Sequence, residues 1–414
     1  MKSLLLAVFL LFFLNQIPAQ VVTTFAGGNY GYINGGPTVA AFGEIMGICV
    51  NHEGTIYVVD VGNHRVRKIT AQGEVSTFAG SGTVGHADGV GTDAQFDYIR
   101  GICVDATGTI YVTEYFRVRK ITPEGVVTTL AGGEDQGYVD GAGSTAQFFA
   151  LMGICVDANG SVYVADAGNN RIRKITAAGM VSTVVDGTSI FGSIYDLCID
   201  NATGTLFVTD RYGQKIYKVT PTGSLSVFAG SDMGYQEGIG TDAQFNFPFG
   251  ICIDSSGNLY VTDNAYLIRK ITSMGVVSTL AGGPGGDLDG IGTAARFGNL
   301  EGICVTSQGI VYVVDTQYRK IRKITPSELG IAGNSQLKPV TLYPNPARGM
   351  LSLAIDSYPA AESVTVTDLS GMTLYSGLIR DNVTAVDISK LARGVYFATV
   401  TAGNKTTTQK FIVE

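Results

Sequence analysis

His52, His64 and His86 are the only imidazoles in 414 residues. A histidine-ligated zinc site needs several imidazoles converging on one point, and a histidine base needs a positioned partner. These three fall at unrelated places in a repeating pattern: after one strand, in a turn and in an inserted loop. No GxSxG elbow and no HExxH helix occurs. The cysteines are more ordered. Cys49, Cys103, Cys155, Cys198, Cys252 and Cys304 are spaced by 54, 52, 43, 54 and 52 residues, each inside a near-copy of one string, GICVN, GICVD, GICVD, DLCID, GICID and GICVT. The even count is therefore a repeat number. Equivalent cysteines on packed sheets lie roughly 10 Å apart, whereas a disulfide needs Cα atoms within about 7 Å. They read as buried free thiols. The residue before each string's first position does not repeat: Met46, Arg100, Met152, Tyr195, Phe249 and Glu301, with Asp196 replacing the glycine itself in the fourth copy. Positions that differ where everything else repeats are the candidates for a ligand site.

The elements that hold these residues are short strands. Each repeat reads GICVD, then xxYVxD, then RxRKIT, then VSTxAG. Glycines 54, 108, 160, 204 and 257 turn the first pair, and 73, 125, 179, 223 and 275 turn the last pair, where tight hairpins need positive φ. Glycine is 55 of 414 residues, charged residues are only 15%, and 20 Tyr and 19 Phe accompany many Val, Ile and Thr, all of which favour strands over helices. Four strands per repeat and six repeats predict an all-β, six-bladed β-propeller. GICV is apolar on both faces, as an inner strand must be. The last repeat lacks its VSTxAG strand, and VVTTFAGG at residues 21–28 supplies the missing piece. That segment is expected to complete the last blade and remove an exposed edge.

A further module, GHADGVGTDAQF at 85–96 and its counterparts at 137–148, 234–245 and 288–297, separates most repeats, with a degenerate copy at 31–42 and none between repeats 3 and 4. Thr92, Thr241 and Thr293 are placed to cap a short helical turn, and Phe42, Phe96, Phe148, Phe245 and Phe297 to pack beneath the loop. Asp88, Asp140, Glu237 and Asp289 offer hard oxygen ligands, so calcium is the one cofactor left open beside a purely structural turn, although the full calcium-loop spacing is absent. Asp60, Asp166, Asp210 and Asp315 end the second strand, and Arg65, Arg171, Lys215 and Lys320 follow five residues later. A salt bridge is expected within each blade. Repeat 2 departs with Glu114 and a loop two residues shorter, and repeat 5 with Leu267.

The GICVD…GxxYVxD…NRIRKIT…G pattern over residues 20–325 resembles NHL-repeat β-propellers. Some relatives bind RNA through a basic face, but here 28 Lys and Arg stand against 35 Asp and Glu, a net charge of −7, which excludes a nucleic-acid partner. The amidating-lyase propellers rely on histidines that have no match here.

The two ends carry addresses. Lys2 followed by the apolar run Leu4 to Leu14 and then QIPAQ reads as a signal peptide over 1–19, cleaved near Ala19 or Gln20. Eleven apolar residues are too few to span a bilayer, and no other long apolar run exists. Residues 326–339 read as a linker. From 340 to 414 a different set of about seven alternating strands predicts a small β-sandwich. This segment resembles the C-terminal sorting domain of the type IX secretion system at Tyr343, Pro344, Asn345 and Pro346, at Asp368 through Gly371, at Leu391 with Gly394 and Tyr396, and at Lys410 through Val413. The resemblance implies a Bacteroidota-type bacterium, handling by the type IX machinery and export across the outer membrane.

The leading functional expectation is a secreted or surface binding module that takes a glycan or peptide at the channel face. Its ring is Met46, Arg100, Met152, Tyr195, Asp196, Phe249 and Glu301, with aromatic faces at Tyr98, Phe149, Tyr195, Phe247 and Phe249. The alternative is a metal-dependent hydrolase or lactonase of gluconolactonase-like type, in which Asp196 and Glu301 hold a divalent ion. A passive surface protein, with ring charges paired across the channel, is the third.

Overall fold

The computed structural model describes residues 20–326 apart from position 265, and residues 340–414 apart from 356–362, 369–371, 380–382 and 403–404. The chain divides into two compact units, Met1–Ser327 and Glu328–Glu414. The expected signal peptide over 1–19, nearly all of the 326–339 linker and Gly371 lie outside the described residues.

The first unit is all-β and propeller-like. Among the described residues it has six main antiparallel sheets, and in the first five of them the four main strands are meanders that follow one another in the chain. Sheet 1 runs through Ile45–Val50, Ile56–Asp60, Arg65–Ile69 and Val75–Ala79. Sheets 2 to 6 begin with the inner strands Ile102–Val104, Leu151–Val156, Ile194–Asp200, Pro248–Ile253 and Leu300–Val305. These are the GICVD strings. Neighbouring inner strands contact one another in chain order, and that of sheet 6 contacts that of sheet 1. There the Thr316 hydroxyl donates to the Ile45 carbonyl at 2.8 Å. The fourth strand of sheet 6 is Gln20–Gly27, antiparallel to Lys320–Pro326 from Gln20 opposite Pro326 to Gly27 opposite Lys320.

The core lies between sheets. One apolar cluster joins Cys49, Val59 and Val66 of sheet 1 to Ile102, Ile110 and Val112 of sheet 2, and the other sheet pairs repeat the arrangement. All six cysteines are free thiols within this packing. Burial pushes the Cys304 thiol well above its usual range, so it stays protonated and acts as a small apolar residue.

The inserted loops bridge neighbouring sheets. Gly89–Val90, from the loop after sheet 1, pairs with the outer strand Val126–Gly132 of sheet 2, and the loops ahead of sheets 3, 5 and 6 pair likewise. Phe42, Phe96, Phe148, Phe245 and Phe297 are fully buried beneath them; burying each ring contributes roughly 1.5–3 kcal/mol. Two expectations fail here. The turns at Gly91–Asp93, Gly240–Asp242 and Gly292–Ala294 contain the threonines instead of being capped by them. Their N-caps are Val90, Ile239 and Ile291, which make no side-chain cap bond. The ion pairs also form at a different spacing. Asp60 binds Arg67, Asp166 binds Arg173 and Asp315 binds Arg322, seven residues on, at 2.7, 2.8 and 3.2 Å, all fully buried.

The reason is that this arginine serves two elements. Arg173 donates to Asp166, to the Gln147 and Val139 carbonyls and to Asp140 of the inserted loop, with Phe148 under its guanidinium at 5.0 Å. Arg67, Arg119, Arg269 and Arg322 each reach their own loop and lie over its phenylalanine. Sheet 4 has no inserted loop ahead of it, and Tyr217 takes the place of the arginine. Asp210 there accepts from the amides of Gly192, Ser193 and Gly213.

Among the described residues the second unit has seven strands, in the order Thr373–Leu378, Ser363–Thr367, Gly394–Ala402, Lys405–Val413, Val340–Arg348, Met350–Ile355 and Val383–Asp387. Its core contains Leu351, Leu353, Val364, Val366, Val386, Val400 and Phe411.

Candidate functional site

Except for Arg100, which precedes the inner strand of sheet 2, each ring residue sits at a β-bulge. Pairing between the inner strand and its neighbour skips from Ile45 to Ile48, and the same break recurs in sheets 3 to 6, which frees one residue per inner strand from the ladder. The glycine that follows is required by close approach. A Cβ at Gly47, Gly101, Gly250 or Gly302 would fall 2.4–2.5 Å from the carbonyl oxygen of Arg100, Met152, Glu301 or Met46 on the next inner strand. Threonines staple these seams: Thr113, Thr209 and Thr262 donate to the Met152, Phe249 and Glu301 carbonyls at 2.6, 2.7 and 2.7 Å.

The structure brings six of the sequence-derived ring residues together. Met46, Arg100, Met152, Tyr195, Phe249 and Glu301 line a mouth of ≈ 360 Å³, joined by Arg211, Asn264 and Asn299. Asp196 lies deeper, in a narrower space of ≈ 170 Å³ between the inner strands. Of the other aromatic candidates, Phe249 meets Tyr195 edge-on at 5.0 Å and Phe247 flanks Arg211. Tyr98 and Phe149 lie away from the mouth, grouped with Tyr115.

The ring charges do not pair across the channel. The Tyr195 hydroxyl donates to Glu301 Oε2 at 2.6 Å. Burial raises the Glu301 carboxyl, against the pull of the Tyr195 bond, Arg100 and Arg211. Arg100 Nη1 meets Met46 Sδ at 3.6 Å. Arg211 lies 4.6 Å over the Phe249 ring and 5.9 Å from that of Tyr195. Among the described residues neither guanidinium has a carboxylate within ion-pairing distance. Arg211 was not read from the sequence. It directly follows Asp210, a position that also varies between repeats (Val61, Tyr115, Ala167, Arg211, Asn264, Thr316), so the same comparison applied to the second strand finds both Arg211 and Asn264.

Asp196 faces protein donors. Its Oδ1 accepts from the Leu197 amide at 2.8 Å and its Oδ2 from the Ile251 amide of sheet 5 at 3.1 Å. Burial pushes its carboxyl up to about 7, with Glu301 adding to the rise and the two amides opposing it. With Asp196 held by amides and Glu301 by Tyr195, this pair does not fit a divalent ion. No group of three or more His, Cys, Asp or Glu assembles among the described residues. Nor does the calcium reading of the inserted loops fit. Asp88, Asp140 and Asp289 face the guanidinium groups of Arg119, Arg173 and Arg322, and Glu237 accepts from the Thr279 amide.

In the second unit the sorting landmarks converge. Asn345 Oδ1 accepts from the Ile412 amide at 3.0 Å, and its Nδ2 donates to the Lys410 carbonyl. The Tyr343–Pro344 and Asn345–Pro346 peptides are cis. Gly394 pairs with Val413. Tyr396 is buried, stacks on Phe411 at 5.8 Å and donates to the Ala392 carbonyl.

Comparison with known proteins agrees with both halves. Residues 341–414 match the secretion system C-terminal sorting domain, residues 42–69 the NHL repeat and residues 137–289 the teneurin NHL domain. The chain thus joins an NHL-repeat propeller to a type IX sorting domain, which directs export across the outer membrane to the cell surface or the extracellular space. Protein SUPPRESSOR OF QUENCHING 1 of Arabidopsis thaliana is 27% identical over 278 residues, 59% of this chain but only 26% of that protein's length. Among solved structures, a protein of unknown function from Bacteroides thetaiotaomicron superposes with a TM-score of 0.60 at 22% identity, covering 74% of this chain and 76% of its own. An auxiliary nutrient binding protein from Bacteroides ovatus gives 0.59 at 18%, covering 75% and 78%. No helix among the described residues is long and apolar enough to cross a membrane.

Proposed function

We propose that residues 20–325 form one six-bladed propeller, closed by the N-terminal strand, that works outside the cell as a binding module with its ligand at the channel mouth. Residues 1–19 would be removed as a signal peptide, 326–339 would serve as a linker, and 340–414 would engage the type IX machinery. The observation that carries the reading is the pair Arg100 and Arg211. Both guanidiniums reach the mouth without an ion-pairing carboxylate, and Arg211 lies against aromatic rings. A partly desolvated guanidinium gains most from a carboxylate, which it can grip with two parallel hydrogen bonds. Tyr195 and Phe249 add faces for a sugar ring or a peptide side chain. The ligand class is therefore an acidic glycan or the carboxylate end of a peptide, and Met46, Arg100, Met152, Tyr195, Asp196, Phe249 and Glu301 remain its ring, now with Arg211. The nutrient-binding role named for the Bacteroides ovatus neighbour accords with this.

Titration calorimetry of residues 20–414 against uronic-acid oligosaccharides, their neutral counterparts and short peptides tests it. Acidic ligands should bind, and Arg100→Ala with Arg211→Ala should weaken them by about tenfold or more, as loss of a charged hydrogen bond predicts. Equal binding by the double variant, or equal binding of neutral sugars, would overturn the assignment.

A further inference from the structure

Sheet 2 departs from sheets 1 and 3 at three positions, and the three meet in space. Glu114 stands where sheets 1 and 3 to 6 have aspartate. The following turn is two residues shorter, so the counterpart of Asn63 and Asn169 is gone. His86 stands in the inserted loop where Tyr32 and Tyr138 stand elsewhere. In sheets 1 and 3 the asparagine Nδ2 fills this place. It donates to both carboxylate oxygens at 2.8–2.9 Å and to the loop carbonyl of Gly31 or Gly137. The tyrosine of the same loop stacks with Arg65 or Arg171, at 3.8 and 4.4 Å.

In sheet 2 a hollow of ≈ 520 Å³ opens instead, lined by Tyr98, Tyr115, Phe116, Asp97, Arg117 and Glu134, with His86 at its side and Glu114 at its floor. Glu114 is only 1% exposed. Its Oε1 accepts from Arg119 and from the Asp97 amide. Its buried Oε2 accepts no hydrogen bond; His86 Nδ1 is 3.5 Å away. An unmet buried carboxylate oxygen is costly. Arg117 is engaged by Glu134, and Arg119 by Glu114 and Asp88. The lining acids Asp97, Glu114 and Glu134 face two arginines, Arg117 and Arg119, so one carboxylate is left over and the hollow favours a cation.

We propose that this hollow binds a primary ammonium group, which donates to Glu114 Oε2 from the place that the Asn63 and Asn169 amides occupy in sheets 1 and 3. Its three N–H donors suit that oxygen, and its carbon stem lies against Tyr98, Tyr115 and Phe116, whose faces attract a cation. The source is either a free amine or a lysine side chain of a peptide.

The test uses residues 20–414 with butylammonium chloride, its neutral isostere 1-butanol and N-acetyl-lysine-amide, followed by ligand-observed NMR. Butylammonium should bind and butanol should not. Glu114→Gln should weaken binding by about tenfold or more. Because Arg119 also relies on Glu114, His86→Tyr provides the second variant. It restores the residue of sheets 1 and 3, leaves the buried pair intact and should close the hollow with the same loss. The Arg100→Ala, Arg211→Ala protein should bind butylammonium like the wild type. Tighter binding of N-acetyl-lysine-amide than of butylammonium would assign a peptide source, and the reverse a free amine. No preference for butylammonium over butanol, or undiminished binding by His86→Tyr, would overturn the proposal.

Discussion

At the level of single residues, Asp196 is the most informative departure from the repeat, because it places a carboxyl where the other inner strands need glycine for close approach. Its folded-state value of about 7 lies above the ordinary aspartate value of roughly 3.9. Between those two pH values the folded protein holds a proton that the unfolded chain has released. Stability therefore falls as pH rises from about 4 to about 7, by at most about 1.4 kcal/mol per pH unit. Asp196→Gly, which restores the residue of the other repeats, should remove this component and gain stability relative to wild type as pH rises through that window. Urea unfolding at pH 5, 6 and 7.5 measures it, and parallel wild-type and variant slopes would refute the assignment. The variant also tests the neighbouring amides, since Ile251 loses its side-chain acceptor. The ring was legible in the sequence because it varies inside a repeat that otherwise does not. Arg211 escaped because it varies on a different strand. The partner of Glu301 escaped because Tyr195 is 106 residues away in the chain, a distance that no local pattern encodes.

Among the elements, the meanders were readable because their turns and strand alternation are local, whereas the ion pairs were not. Arg171 and Arg173 share a face of one strand, since side chains alternate with period two, so spacings of five and seven from Asp166 are equally allowed. The loop decides between them. Arg173 is held at 2.6 Å by Asp140, 33 residues away, and by two loop carbonyls, while Arg171 turns outward to Asp186. The buried arginine is thus a clamp between a sheet and its inserted loop, and sheet 4, which lacks the loop, has Tyr217 at that place. Arg173→Met should cost about 3–5 kcal/mol, because it leaves the Asp166 carboxylate buried with one fewer donor. It should also raise amide exchange across residues 137–148. Tyr217→Phe, which removes only a hydroxyl that clamps no loop, should cost less than about 1.5 kcal/mol. Urea denaturation with hydrogen-exchange mass spectrometry distinguishes the two. An Arg173→Met protein that unfolds like the wild type would show that the loop packs by Phe148 alone.

For the molecule as a whole, the order of the chain matters as much as its repeats. The sorting domain covers residues 341–414, and its landmark Asn345 is tied to the strand Lys405–Val413 through Ile412 and Lys410, so that unit needs this strand to form. The propeller unit has the opposite dependence. Its last sheet borrows the fourth strand from the N-terminus, with Val22 packed against Ile324, Leu300 and Val311. Sheet 6 therefore cannot be completed until residues 320–326 are available, and its pairing spans the longest loop of the unit. Closing such a loop adds only slowly to the entropic cost, but without the borrowed strand the Lys320–Pro326 edge is left open to intermolecular pairing. Deleting residues 20–28 removes the whole strand and no side chain of the channel mouth. The expected outcome is insoluble protein or loss of cooperative melting for residues 29–414, while residues 20–414 stay soluble and melt in a sharp transition. Adding the peptide VVTTFAGG in trans should restore part of the lost melting cooperativity if the vacancy is a strand-shaped edge. Soluble material from the deletion that melts as sharply as the wild type would show that the unit holds together without its borrowed strand.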